Sequence, residues 1–483
     1  MNKYFSDYLP PALVRDLRRS WRTRGYIAML ALAMVAAVWL QYSVTKAESV
    51  TSATGWSAML LGLATLVMWC VIPNRAGAAV SADAKVKGTN FMMLTPLSSR
   101  SIVWGTWVSA VLQLLVLAGL GACLLCWRHS TEVVQPLTDP LLNALSAGGR
   151  IDARAFAPAL THQQEWIIFG LIVGGGIVLC AAFMCLAQLS RFFRFGATTA
   201  VLIIILGQVM EAVFTTAWLT DANYSPLSDF LDAFSGVTLW VRVADAVLAI
   251  CLLLELARRS YAAPAENCSR AVRLLTLLPL VSVPALHYLL PGELKLFEEQ
   301  ANFCACFCLL ATLSDALLPT YSLPAHNKRC WPLLPNYLQT PGLGQASLFL
   351  LLVYMVCCGL SGWAAGKVWT MTMSLSDVSL AIRGGYVLLA GLLVTDLLTS
   401  RRNINRPIVF GLVVVVFSVL GTVARFSLPQ SVQLYVLALL PGGGSEIMVF
   451  ELAETQEAMI ACCISGAALL LTLAALMWRG RKS

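Results

Sequence analysis

The chain is written mainly in long apolar runs separated by short polar and basic segments. Twelve runs are long enough to be spans, centred on residues 25–42, 55–73, 102–127, 166–189, 197–218, 237–257, 272–290, 299–318, 346–368, 379–398, 408–424 and 458–477. About 17–25 apolar residues carry a helix across a hydrocarbon layer roughly 30 Å thick, and a helix satisfies its own backbone N–H and C=O groups there. The pattern predicts an all-α, polytopic integral membrane protein with about twelve transmembrane helices. Residues 10–24, PPALVRDLRRSWRTR, follow another rule: after prolines suited to a helix start, Leu13, Val14, Leu17 and Trp21 share one face and Arg15, Arg18, Arg19 and Arg22 occupy others. Segment 1–24 is therefore expected to be a cytoplasmic amphipathic elbow lying along the leaflet, the plainer alternative being a basic flank that fixes topology.

Composition agrees, with 58% hydrophobic and 12% charged residues, against about 45–50% and about 25% in soluble domains. Charge then sets orientation. Most of the 33 Lys and Arg residues fall in alternate flanks, from Lys3 and Arg15 through Arg100, Arg191, Arg258, Arg273, Lys328 and Arg401 to Arg479, whereas Asp221, Asp229, Glu293, Glu298, Glu446 and Glu457 lie in the opposite loops. By the positive-inside rule both termini are cytoplasmic and the span count is even, as in a protein of the bacterial cytoplasmic (inner) membrane. The net charge of +8 is thus a topology signal and gives no reason to expect a nucleic-acid partner. The apolar run from Tyr26 to Tyr42 exceeds the roughly 7–15 residues of a signal-peptide core, so an uncleaved anchor is expected.

The pattern also repeats. Thr95-Pro96 recurs as Thr340-Pro341, and the same displacement carries the starts of the first three spans close to those of the seventh, eighth and ninth. Two six-span halves, 25–262 and 263–483, are expected, both starting in the cytoplasm and hence parallel about an axis along the membrane normal. The first half has a long outer loop, 128–165, suited to a lid, a partner site or a tolerated insertion.

Between the second and third spans the chain reads VSADAKVKGTNFMMLTPLSSRSIVWG. Phe91, Met92, Met93, Leu94 and Leu97 form an apolar patch too short to span, which should lie on the membrane or dock on another protein. Thr95-Pro96 and Ser98-Ser99 supply turn and capping chemistry for a helix beginning near Ile102. A cytoplasmic loop that runs from an acid through basic residues and Gly-Thr to Thr-Pro-Leu-Ser, then into a Gly-containing helix, resembles that of the ABC-2 type permeases, the membrane subunits of ABC exporters. The match comprises Asp83, Lys85, Lys87, Gly88, Thr89, Leu94, Thr95, Pro96, Leu97, Ser98 and Gly105, while Ser225-Pro226-Leu227 resembles the family's outward-facing re-entrant turn. The family usually carries glutamates where this chain has Asp83 and Ala84, and one six-span half per chain.

That resemblance implies that segment 81–97 is a coupling helix seated in a groove of a separate cytoplasmic ABC ATPase. Phe91, Met92, Met93 and Leu94 would fill the groove, and Asp83, Lys85 and Lys87 would make rim contacts. The second copy, 320–345, is less charged and broken by prolines, a degenerate loop. ATP would be used by the partner, since Gly366-Lys367 is followed by Val368 and no phosphate loop occurs. No enzyme motif, cofactor or metal site is expected in this chain.

Remaining candidates are intramembrane. Glu211, Arg242 and Asp245 sit at similar depth in the fifth and sixth spans and would either line a substrate route or lock two helices as an ion pair. Glu255, Asp315 and Asp396 lie near cytoplasmic ends, where interfacial water explains them. Cys304, Cys306 and Cys308 resemble a ligand set, but helical neighbours two apart point about 200° apart, which favours core residues. The resulting expectation is an exporter permease moving an unidentified substrate, with an ion-coupled secondary transporter or a non-transporting scaffold as alternatives.

Overall fold

The computed structural model describes residues 11–22, 24–45, 62–85, 98–131, 162–187, 236–259, 261, 268–289, 294–317, 342–364, 375–399, 406–427, 436, 439 and 455–482. These are almost wholly helical, with no strand among them. Nine of the described helices are long and apolar enough to cross a membrane. The candidate span at 197–218, the turn at Ser225-Pro226-Leu227, residues 132–161 of the long outer loop and residues 320–341 of the second coupling-type loop lie outside the described residues.

The chain divides into two units, Met1–Tyr261 and Ala262–Ser483. In the first, α1 (Pro11–Arg22) is followed by α2 (Arg24–Thr45), then a π-helical turn (Leu66–Val71) that runs into α3 (Ile72–Lys85), α4 (Ser99–Thr131), α5 (His162–Leu186) and α6 (Gly236–Arg258). Helices α4, α5 and α6 pack on one another, and α3 packs on α4 and α5. The core of this unit includes Val80, Val103, Leu114, Cys180, Met184 and Leu254. Small residues let the backbones close up. A methyl on Gly77 would meet the carbonyl oxygen of Phe183 at 2.7 Å, and one on Gly176 would meet the Leu114 side chain at 2.6 Å. Beside the π-helical turn, Trp69 Nε1 donates to the Ile172 carbonyl at 2.7 Å, which fixes α5 against this segment.

In the second unit, α7 (Cys268–Leu289), α8 (Leu294–Leu317), α9 (Leu343–Ala364), α10 (Leu375–Thr399), α11 (Arg406–Ser427) and α12 (Thr455–Lys482) follow in turn. Here α9, α10 and α12 pack mutually, as α4, α5 and α6 do in the first unit. Leu343 and Leu350 of α9, Leu389 and Leu392 of α10 and Leu476 of α12 form a core with Phe410 of α11. Helix α7 carries Pro279 and Pro284 internally, and Ser282 Oγ donates to the Pro279 carbonyl at 2.9 Å. On α11, Leu412, Val415, Val416, Val419 and Val423 are exposed at i, i+3, i+4, i+7 and i+11. That continuous apolar stripe is the face a helix turns toward lipid.

Candidate functional site: the polar base of the first unit

The last turn of α3 ends at Lys85 and α4 begins at Ser99, so both edges of segment 86–97 are placed. Asp83 and Lys85 stand in that last turn. Lys87, Gly88, Thr89, Phe91, Met92, Met93, Leu94, Thr95 and Pro96 lie outside the described residues. At the far edge Ser98 caps the helix: its Oγ accepts from Ser101 N at 3.2 Å, and its carbonyl accepts from Ile102 N at 3.2 Å. Serine suits this position because its short side chain satisfies a first-turn N–H that has no intrahelical partner.

The residues just beyond the cap are tied to the end of α6. Arg100 reaches Glu255 Oε1 through Nε at 2.8 Å and through Nη2 at 2.7 Å. Arg258 Nη1 donates to Glu255 Oε2 at 2.9 Å, while its Nε donates to Ser99 Oγ at 2.9 Å. Glu255 is therefore held between two arginines and is only 7% exposed. Buried carboxylates persist when charge and hydrogen bonds replace their water, and this set supplies both. Arg258 also stands in the last turn of α6, where the helix dipole favours a cation.

The elbow joins the same base. Helix α1 packs on α4, and Leu13 and Asp16, one turn apart, are each 5% exposed. Asp16 Oδ2 accepts from Thr106 Oγ1 at 2.7 Å, and Asp16 Oδ1 accepts from Arg15 Nε at 2.9 Å. The packed face of α1 thus includes a carboxylate beside buried Leu13 and half-buried Val14 and Leu17. Sequence patterning overlooked Asp16; the available signal was a lone acid in a strongly basic helix, one turn from Leu13.

Elsewhere the expected cluster is placed only in part. Arg242 and Asp245 both lie on α6, Asp245 buried and Arg242 half-buried, while Glu211 lies outside the described residues. In the second unit Asp396 accepts from Arg406 Nη2 at 3.3 Å and from Arg479 Nε at 2.8 Å. Arg273 Nε donates to Asp315 Oδ2 at 2.7 Å. Asp315, Asp396 and Glu255 are thus structural anchors for arginines, a role that proximity to interfacial water does not suggest.

An apolar cleft in the first unit is lined by Met34, Ala37, Leu63, Val67, Leu117 and Phe169. It offers dispersion contact to an apolar chain and no directional bond. Comparison with protein-family models, curated proteins and solved structures finds no match.

Proposed function

We propose that the chain is the permease subunit of an ABC exporter of the ABC-2 type, moving a substrate across the membrane with ATP hydrolysed by a separate cytoplasmic ATPase. It would have twelve spans in two parallel six-span halves, with both termini cytoplasmic, in a bacterial inner membrane. Segment 81–97 would dock the ATPase through Phe91, Met92, Met93 and Leu94, with Asp83, Lys85 and Lys87 at the rim.

The observation that carries this reading is the clasp of Arg100 and Arg258 on Glu255 where segment 86–97 enters α4. A push on a docked segment would act at the first turn of α4. That turn is tied to α6 through Glu255, and Thr106 further along α4 is tied to α1. A force delivered at one point would move three helices together. The mutual packing of α4, α5 and α6, matched by that of α9, α10 and α12, supports the two-half plan.

The test is copurification. A cytoplasmic protein with Walker motifs should copurify with the full-length chain, and Phe91→Asp with Met92→Asp should abolish that association while the chain stays folded in detergent. Undiminished association of the ATPase with the double variant would overturn docking at this segment. Transport that collapses with an uncoupler at constant ATP would overturn the exporter reading itself.

A further inference from the structure

Two helices of the second unit bring three thiols to one point inside the bundle. Cys304 and Cys308 stand one turn apart on α8, and Cys357 comes from α9; their Sγ atoms all lie within 4.8 Å of one another. The Cys304 and Cys308 sulfurs are 3.8 Å apart. The three residues are 1%, 0% and 3% exposed. Cys306, between the first two in sequence, is exposed on another face of α8. Helical neighbours two apart do diverge at Cys306, but residues four apart converge again, and α9 supplies the third sulfur.

From this geometry we infer a thiophilic metal site in which Cys304, Cys308 and Cys357 bind a soft monovalent cation, Cu(I). Sulfurs around a metal at about 2.3 Å stand roughly 3.8–4.0 Å apart, so the observed trio needs only small side-chain adjustments to close on an ion. The donor set selects the metal class. Among the described residues it contains three sulfurs and no carboxylate or imidazole. Thiolates favour Cu(I) over oxygen-seeking cations, and Zn(II) in structural sites asks for four ligands where this cluster offers three. Cys308 Sγ donates to the Thr276 carbonyl at 3.4 Å, which holds its proton when no metal is bound. On binding, one thiol loses its proton to solvent as its S–H bond gives way to a Cu–S bond, the other two sulfurs coordinate through lone pairs as thiols, and the ion remains Cu(I), so no oxidant or reductant takes part. One Cu(I) and one thiolate leave the buried site with no net charge, as its low exposure demands. Bound copper would also fasten α8 to α9, which already pack along their length. The site does not depend on the exporter reading.

The competing account is that three small side chains simply fill core space, as buried free cysteines often do. The two separate in an anaerobic titration of the purified full-length protein with Cu(I) against a chromophoric chelator. One Cu(I) per chain should be withheld from the chelator with a thiolate-to-copper charge-transfer band. Cys308→Ser and Cys357→Ser should each weaken retention at least tenfold, and Cys306→Ser should not. Retention at the wild-type level in a Cys308→Ser or Cys357→Ser chain, or equal loss in the Cys306→Ser chain, would overturn the proposal. X-ray absorption of copper in the wild-type chain decides between the two accounts even if the variants fail to fold. A shell of three sulfurs supports the site, and a shell containing nitrogen or oxygen, or no retained copper, overturns it.

Discussion

Thr106 Oγ1 donates to Asp16 Oδ2 at 2.7 Å, a bond between residues 90 apart in sequence that joins the elbow helix to α4. Both groups are buried, at 3% and 5% exposure, so neither has bulk water as an alternative partner. The elbow is consequently a packed part of the first unit, held to α4 by a polar latch.

The latch predicts a coupling. Asp16→Ala and Thr106→Val should each destabilise the chain by about 1.5–3 kcal/mol, the range for hydrogen bonds to charged groups. Combined, they should cost clearly less than the sum, because the second change removes a partner already lost. Thermal unfolding of the four proteins in one detergent measures this. Strict additivity would show that the two residues do not act as a pair.

Arg273 and Asp315 form a deeply buried ion pair, with side chains 2% and 1% exposed. Removing one member leaves an uncompensated charge among apolar helices, so Arg273→Met alone should cost about 3–5 kcal/mol. Arg273→Met with Asp315→Leu should recover much of that loss, since an apolar pair of similar volume removes both charges together. Unfolding midpoints of the two variants decide it, and a double variant as unstable as the single would count against the mechanism.

Close helix packing makes a steric prediction. Gly77→Ala puts a methyl 2.7 Å from a backbone oxygen of Phe183, and backbone cannot swing aside, whereas Gly119→Ala meets nothing within 4 Å. The first change should destabilise by about 1–3 kcal/mol through overpacking. The second should leave stability unchanged or slightly raised, because alanine favours a helix over glycine by about 1 kcal/mol. Detergent unfolding curves compare the pair directly.

Glu255→Gln tests the clasp. The amide keeps the shape but removes the charge that gathers Arg100 and Arg258. On the proposed exporter reading, ATP hydrolysis by the chain reconstituted with its copurifying ATPase should fall severalfold, while that ATPase still copurifies, since the proposed docking segment is untouched. Unchanged hydrolysis with a lowered unfolding midpoint would assign the clasp to stability alone.

Several features were legible in the residues because their causes are local. The bilayer's thickness imposes a length on each apolar run, which is why runs such as 346–368 and 408–424 correspond to helices α9 and α11. Ser98 announces the start of α4, because capping needs only a short side chain one position ahead of the helix. The partners of Glu255 and Asp16 were not legible, since nothing in a one-dimensional pattern selects Arg100 over another flanking arginine, or Thr106 over another hydroxyl in the same run.

The order of residues alone is enough to specify an all-helical membrane protein, because hydrocarbon solvent leaves a backbone so few ways to satisfy its polar groups. It also specifies where nine of the twelve expected spans lie among the described residues. Which helix ends meet is settled by packing in three dimensions. Packing brings Arg100 and Arg258 to Glu255, Thr106 to Asp16, and Cys357 to Cys304 and Cys308. Those pairings depend on helix rotation and on the small residues that allow close approach, and both are properties of several segments assembled together.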